Sequence, residues 1–201
     1  MWDRSRTKTI ALFDVVGIKK AFESGDAARL LTEFWTAADA WTNAGSFSDA
    51  VLIPGTNTMQ VPSIRVRTFS DSAVMTIAPE LSIQDFHRIA LGLKGAIERR
   101  GLKSYVVIGR DEMIGVQDMP ALGMHLVSGD MTRAYENIIG SGPAWVNVYL
   151  GDQCVGRTKE WHDRFSVYAV GDAAVPSRAE VRDQREFRGH EGRAEKIYAL
   201  G

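Results

Sequence analysis

One cysteine, Cys154, stands in a chain of 201 residues, so no disulfide can close within it, as expected of a protein kept in a reducing compartment. No apolar run approaches the ~20 residues needed to span a bilayer. Met1 to Thr9 mixes charges of both signs and leads straight into a strand-like segment, so no signal-peptide pattern is seen. The formal net charge is -1, too close to neutral to call for nucleic acid or an anionic membrane as partner. The four histidines (His87, His125, His162 and His190) have no metal-ligand spacing, and there is no HExxH. Gly140-Ser141-Gly142-Pro143 lacks the lysine that completes a P-loop, and Ser70 and Ser72 lack a histidine that would make a hydrolase triad. Repeats and low-complexity tracts are absent as well. With 45% hydrophobic and 24% charged residues, what remains is a globular chain, expected to be cytoplasmic and to form a single domain over residues 1–201.

Thr9 to Val16 is apolar apart from Asp14, which suits a strand buried on both faces and ended by Gly17. From Ile18 to Trp41 the spacing of Leu30, Leu31, Phe34, Ala38 and Trp41 predicts a helix, and residues 43 to 61 predict an irregular excursion. Ile64, Val66 and Thr68 alternate with Arg65, Arg67 and Phe69, a strand with one basic face. Ser70-Asp71-Ser72 turns it into a second strand, Ala73 to Ile77. Ser82 and Asp85 predict the cap of a helix with Ile83, Phe86, Ala90, Leu93 and Ile97 on its apolar face, stopped by Gly101. His87 on this helix reads as partly exposed, whereas Trp35, Trp41 and Trp145 read as core.

Tyr105 to Ile108 predicts a strand with Ile114 to Val116 as its partner, and residues 130 to 140 a short helix. Trp145 to Leu150, Phe165 to Val170 and Ile197 to Leu200 predict further strands, and Ala173 to Arg193 a surface loop or hairpin. The order strand, helix, strand, strand, helix, strand predicts an α+β fold of split βαβ, ferredoxin-like type, a mostly antiparallel sheet with helices on one face.

Asp14 is the residue that needs an explanation. An unpaired carboxylate in a core strand costs several kcal/mol, which a cation would offset. Asp71, at the tip of a neighbouring hairpin, would supply a second oxygen ligand, and oxygen donors with substrate phosphates suit Mg²⁺ or Mn²⁺. By spacing alone the pair equally suits a helix cap at Asp14 and a plain turn at Asp71.

Phe13-Asp14-Val15-Val16-Gly17-Ile18 resembles the first metal motif of class III adenylate and guanylate cyclases, and Arg67-Thr68-Phe69-Ser70-Asp71-Ser72 resembles the second. Phe187-Arg188-Gly189-His190-Glu191-Gly192, followed by Ile197-Tyr198-Ala199-Leu200, resembles the hairpin that closes that domain. The resemblance implies two Mn²⁺ or Mg²⁺ ions per active site, held by Asp14, Asp71 and the Val15 carbonyl. It also implies a nucleoside triphosphate substrate touched by Phe13, Arg67 and Arg188, with Arg188 at a triphosphate-binding lysine position. Arg67 stands where purine cyclases carry a base-selecting lysine or glutamate, and its guanidinium offers two donors to a carbonyl-rich base edge such as that of uracil.

The family's transition-state pair, an asparagine and an arginine four residues later, has no direct match. Anchored on Gly129 the pair becomes Arg133 and Asn137, reversed in order but still one helical turn apart; anchored on Ala134 it becomes Thr132 and Glu136. With a non-purine residue, Arg67, at the base-selecting position, the chain resembles the stand-alone pyrimidine cyclases of Pycsar anti-phage defence. That likeness implies a homodimer with active sites at its interface, conversion of UTP to cyclic UMP, and a downstream effector that responds to the product. A degenerate cyclase homologue that binds a nucleotide or a protein is the alternative. A dinucleotide cyclase on the related palm fold is disfavoured, because Phe69-Ser70-Asp71-Ser72 replaces the GGDEF-like hairpin.

Overall fold

The computed structural model of the chain describes residues 2–3, 7–44, 49–116, 124–126, 146–150, 153–158, 164–188 and 194–201. Two compact units are present, one formed by Ala11–Val106 and the other by Met1–Ile10 with Val107–Gly201. Strands β1 (Trp2–Asp3) and β2 (Thr7–Val15) come first, then helices α1 (Ile18–Ser24) and α2 (Ala27–Asn43). The small ladder of β3 (Val51–Leu52) and β4 (Met59–Gln60) follows, and then the hairpin of β5 (Ser63–Phe69) and β6 (Ser72–Ala78). Helix α3 (Ile83–Glu98) leads into β7 (Ser104–Val116). In the Ala11–Val106 unit the strand order is β7–β2–β6–β5, which puts the apolar strand β2 in an inner position and β5 at an edge.

The residue pattern accounts for this order. Phe13 and Ala11 on β2 and Ala73 and Met75 on β6 are fully buried, whereas Arg65 and Arg67 on β5 are exposed, the alternation expected of an edge strand. Helix α2 packs on α1, α3 and β5. Ala27, Phe34, Ala37, Ala38 and Trp41 form its buried face, and Phe34 is fully enclosed. The α2–α3 approach is close at Gly92, where an added Cβ would lie 3.3 Å from the Trp41 ring. At the start of α3, the Ser82 hydroxyl accepts from the Asp85 N–H (3.1 Å) and donates to the Asp85 carboxylate (2.8 Å), so the expected cap is present.

In the second unit the order is β12–β13–β11–β7, with β1 and β8 (Met124–Leu126) also pairing with β7. Here β11 is Val167–Val170, β12 is Val181–Arg188 and β13 is Ala194–Leu200. A separate hairpin joins β9 (Val146–Leu150) to β10 (Gln153–Thr158). Val167, Ala169, Ala174, Tyr198 and Leu200 form a core with Val175 and Val181 packed against it. Every pairing with a described register is antiparallel. The fold is thus α+β with a mostly antiparallel sheet, as the element order predicts.

Four local expectations need correction. The helix read from Ile18 to Trp41 is two helices: Gly25 adopts φ +81°, and the Asp26 N–H reaches back to the Ala21 carbonyl at 2.8 Å, which closes α1. Ile114 to Val116 is not a partner of Tyr105 to Ile108 but the continuation of the same strand, β7, because its backbone goes on pairing with β1 and β8 whatever the side chains' polarity. Of the loop or hairpin expected over 173–193 it is the hairpin that is present, since β12 pairs antiparallel with β13 from Val181 to Arg188. His87 is buried, on a face of α3 broadened by Lys94 one heptad on. Trp35 is 43% exposed and is not a core residue. The helix expected at 130–140 and the side chain of Trp145 lie outside the described residues.

Among the described residues no helix is long and apolar enough to cross a membrane. Phe34 offers a direct test of the α2 core. Phe34→Ala should lower the unfolding free energy by about 3–5 kcal/mol, since an aromatic deletion leaves a cavity as well as lost burial. Urea denaturation of the full chain measures it.

Candidate active site

Strand β2 ends inside the Ala11–Val106 unit, and its last residues are fixed from both sides. The Val15 N–H donates to the Asp71 carbonyl at 3.0 Å, and the Val16 N–H donates to the Lys103 carbonyl at 2.9 Å. Successive N–H groups of an extended chain point in opposite directions, so these two bonds are what an inner strand between β6 and β7 should make. They bring Asp14 and Val15 beside Asp71, although 56 residues separate the two aspartates in sequence.

Asp14 is only 9% exposed, and its Oδ1 accepts a hydrogen bond of 3.0 Å from the buried Ser72 hydroxyl. That bond meets the need of a carboxyl group in a place of low water access, where an acceptor left without a donor is costly. It also removes the helix-cap explanation of Asp14. The N-cap of α1 is Gly17, at φ +95°, and no side chain caps that helix.

Asp71 occupies the second position of a two-residue hairpin loop. Phe69 pairs with Ser72, so Ser70 and Asp71 alone make the turn. Ser70 has φ +53°, the only non-glycine residue with positive φ among the described residues. A positive φ at the first loop position alone is the pattern of a type II′ turn, which favours glycine there and matches the twist of the strands. The Asp71 carboxylate is partly exposed and has no hydrogen bond or ion pair among the described residues. Helix α2 adds one further contact, from the Trp35 indole N–H to the Ser70 carbonyl at 2.8 Å.

The site therefore presents one buried carboxyl group held by a serine and one accessible carboxyl group on a tight turn. Hard oxygen donors of this kind fit a divalent cation such as Mg²⁺ or Mn²⁺ better than a soft metal. No group of three or more His, Cys, Asp or Glu able to hold a metal occurs among the described residues. Two carboxylates are few for an all-protein site, but they suit ions that also take oxygens from substrate phosphates and water.

The other expected site residues fall into four groups. Phe13 is fully buried, so its side chain packs in the core. Arg67 is exposed on β5 and pairs in register with Val74. The backbone of Arg188 ends β12 opposite Ala194, in the other unit. Arg133 and Asn137 lie outside the described residues. Two contributors escape a sequence reading, Ser72 and Trp35. For Ser72 a signal exists in hindsight: a hydroxyl opening a strand that otherwise reads Ala73-Val74-Met75 calls for a polar partner.

No family model matches this chain, and no curated protein matches it. Solved structures do. One structure of a bacterial light-regulated adenylyl cyclase superposes with a TM-score of 0.51 at 9% identity, covering 98% of this chain and 53% of the other. A second structure of a bacterial light-regulated adenylyl cyclase gives 0.52 at 10% identity, covering 100% and 53%. This chain thus spans about half the length of each. At such identity the similarity is one of fold: the chain has the fold found in these adenylyl cyclases.

Proposed function

We propose that this chain is a nucleotide cyclase that converts a nucleoside triphosphate into its 3′,5′-cyclic monophosphate and pyrophosphate. One observation carries the reading: on a cyclase-like fold, the Val15 N–H to Asp71 carbonyl bond and the Ser72 to Asp14 bond bring both metal-motif aspartates together. In this reading Asp14, Asp71 and the Val15 carbonyl hold two Mn²⁺ or Mg²⁺ ions. When bound, such ions lower the pKa of the ribose 3′-hydroxyl and offset charge on the triphosphate. The reaction forms the bond from the 3′-oxygen to the α-phosphorus and breaks the α–β anhydride.

The chain's own residues then have distinct tasks. Ser72 holds Asp14 in a fixed rotamer, so that no reorganisation is needed when charge develops. Arg188 binds the triphosphate, and Arg133 and Asn137 orient the ribose and offset the charge of the transition state. Arg67 reads the base, and two donors on one planar group favour UTP, whose edge offers carbonyl acceptors. Its exposure on an edge strand is in keeping with contact to a ligand. The active unit is a homodimer with sites at the interface. The product is cyclic UMP, a messenger for a downstream effector in anti-phage defence.

A second reading follows from residues 129 to 137, where the family's asparagine and arginine are reversed in order or absent. It makes the chain a cyclase homologue that binds a triphosphate without releasing pyrophosphate. Product formation separates the two.

Purified protein with Mn²⁺ should turn over UTP, and mass spectrometry should identify cyclic UMP. If none of ATP, GTP, CTP or UTP gives a cyclic product, the catalytic reading is wrong. Asp71→Asn should lower turnover by about 10²-fold or more, the scale on which single groups stabilise transition-state charge. Arg67→Ala should reduce the preference for UTP over CTP by about ten-fold, read from the ratio of the two kcat/KM values. Ser72→Ala should lower the stability of the metal-free protein by about 1–3 kcal/mol in urea, because it leaves the Asp14 carboxyl short of a donor.

A further inference from the structure

Trp35 is an unusual residue for its place on α2. Its neighbour Phe34 is fully buried and supplies the core contact, while Trp35 is 43% exposed. A large part of the ring therefore stays in contact with solvent. What the ring does make is a single directed bond, its N–H to the Ser70 carbonyl at 2.8 Å, across 35 positions of sequence.

The location of that carbonyl gives the bond its meaning. The Ser70 carbonyl belongs to the peptide plane that enters the Asp71 Cα, and the Asp71 carbonyl belongs to the plane that leaves it. The first accepts from Trp35, and the second accepts from the Val15 N–H at 3.0 Å. With both flanking planes held, φ and ψ of Asp71 are fixed, and so is the direction of its Cα–Cβ bond. The entering plane needs such an anchor. Ser70 sits at φ +53°, where a residue with a Cβ is disfavoured, so without a partner this plane is the one that would rotate.

We propose that Trp35 is a positioning residue for Asp71, aiming its carboxylate by locking the Ser70–Asp71 peptide plane. The proposal rests on the reading of Asp14 and Asp71 as a metal-holding pair. Trp35 touches neither ion nor nucleotide and acts through the hairpin alone.

Two variants of the full chain test it. Trp35→Phe keeps a ring without the N–H, and benzothienylalanine at position 35 keeps the whole bicyclic shape with sulfur in place of the N–H, so folding is preserved. Two readouts are needed: Mn²⁺ affinity by titration calorimetry, and hydrogen exchange of the hairpin-tip amides in metal-free protein. Loss of one neutral hydrogen bond should weaken the Mn²⁺ Kd by about five-fold and speed exchange at the tip by a similar factor. A merely structural role would lower the melting temperature and leave the Mn²⁺ Kd where it was. If the wild type binds Mn²⁺ and both variants bind within about two-fold of it, the proposal is overturned and the metal reading stands. If the wild type binds no Mn²⁺, the metal reading fails and the role given to Trp35 fails with it.

Discussion

A carboxyl group at the end of an apolar inner strand sets the terms for the rest of the Ala11–Val106 unit. Ile10, Ala11 and Phe13 are fully buried, and Asp14 follows them into the same region. Burial of such a group without partners costs several kcal/mol, and the Ser72 hydroxyl meets part of that need. Strand β6 must then begin at Ser72, so the hairpin has to close over Ser70 and Asp71. The Val15 N–H to Asp71 carbonyl bond locks the same register from the backbone side. Moving the hairpin by one residue would turn Ser72 to the other face and remove its hydroxyl from Asp14.

The scaffold around this point is built from rigid elements, which is what a site needing sub-ångström placement requires. Helices α2 and α3 pack closely enough that Gly92 leaves no room for a side chain before the Trp41 ring moves. On the opposite side of the energy scale, the Glu33–Arg100 pair at 3.0 Å joins exposed groups and adds little, since surface ion pairs contribute about 0–1 kcal/mol. Burial of Phe34, Phe86, Leu93 and Ile97 dominates instead. Function, in the proposed reading, is placed at the edge of this packed region, where one aspartate is enclosed and the other stays accessible.

Much of this was legible in the residues, for reasons that differ by element. The run Ile10-Ala11-Leu12-Phe13 could only be an inner strand, and the Ser82–Asp85 cap is a local signal that needs no tertiary context. The break at Gly25 was hidden because apolar spacing continues across it, and only a backbone angle reveals the stop. Ile114 to Val116 reads as a separate partner strand, yet β7 runs through it unbroken, because ladder hydrogen bonds do not depend on side-chain polarity. Trp35 was misplaced for a related reason. An indole on a helix reads as core from sequence, whereas its N–H partner is a carbonyl far along the chain that no local pattern discloses. Of the proposed site, the two aspartates were visible as motif residues, but the serine and the indole that hold them depend on the fold.

In the proposed reading Asp14 and Asp71 hold metal together. The most direct measurement is a crystal structure of the full chain with Mn²⁺ and a non-reacting triphosphate analogue, with anomalous scattering recorded at the manganese edge. The predicted result is anomalous density about 2.1 Å from carboxylate oxygens of both Asp14 and Asp71, bridging to the phosphates. Manganese bound elsewhere, or a triphosphate seated away from these two residues, would contradict it.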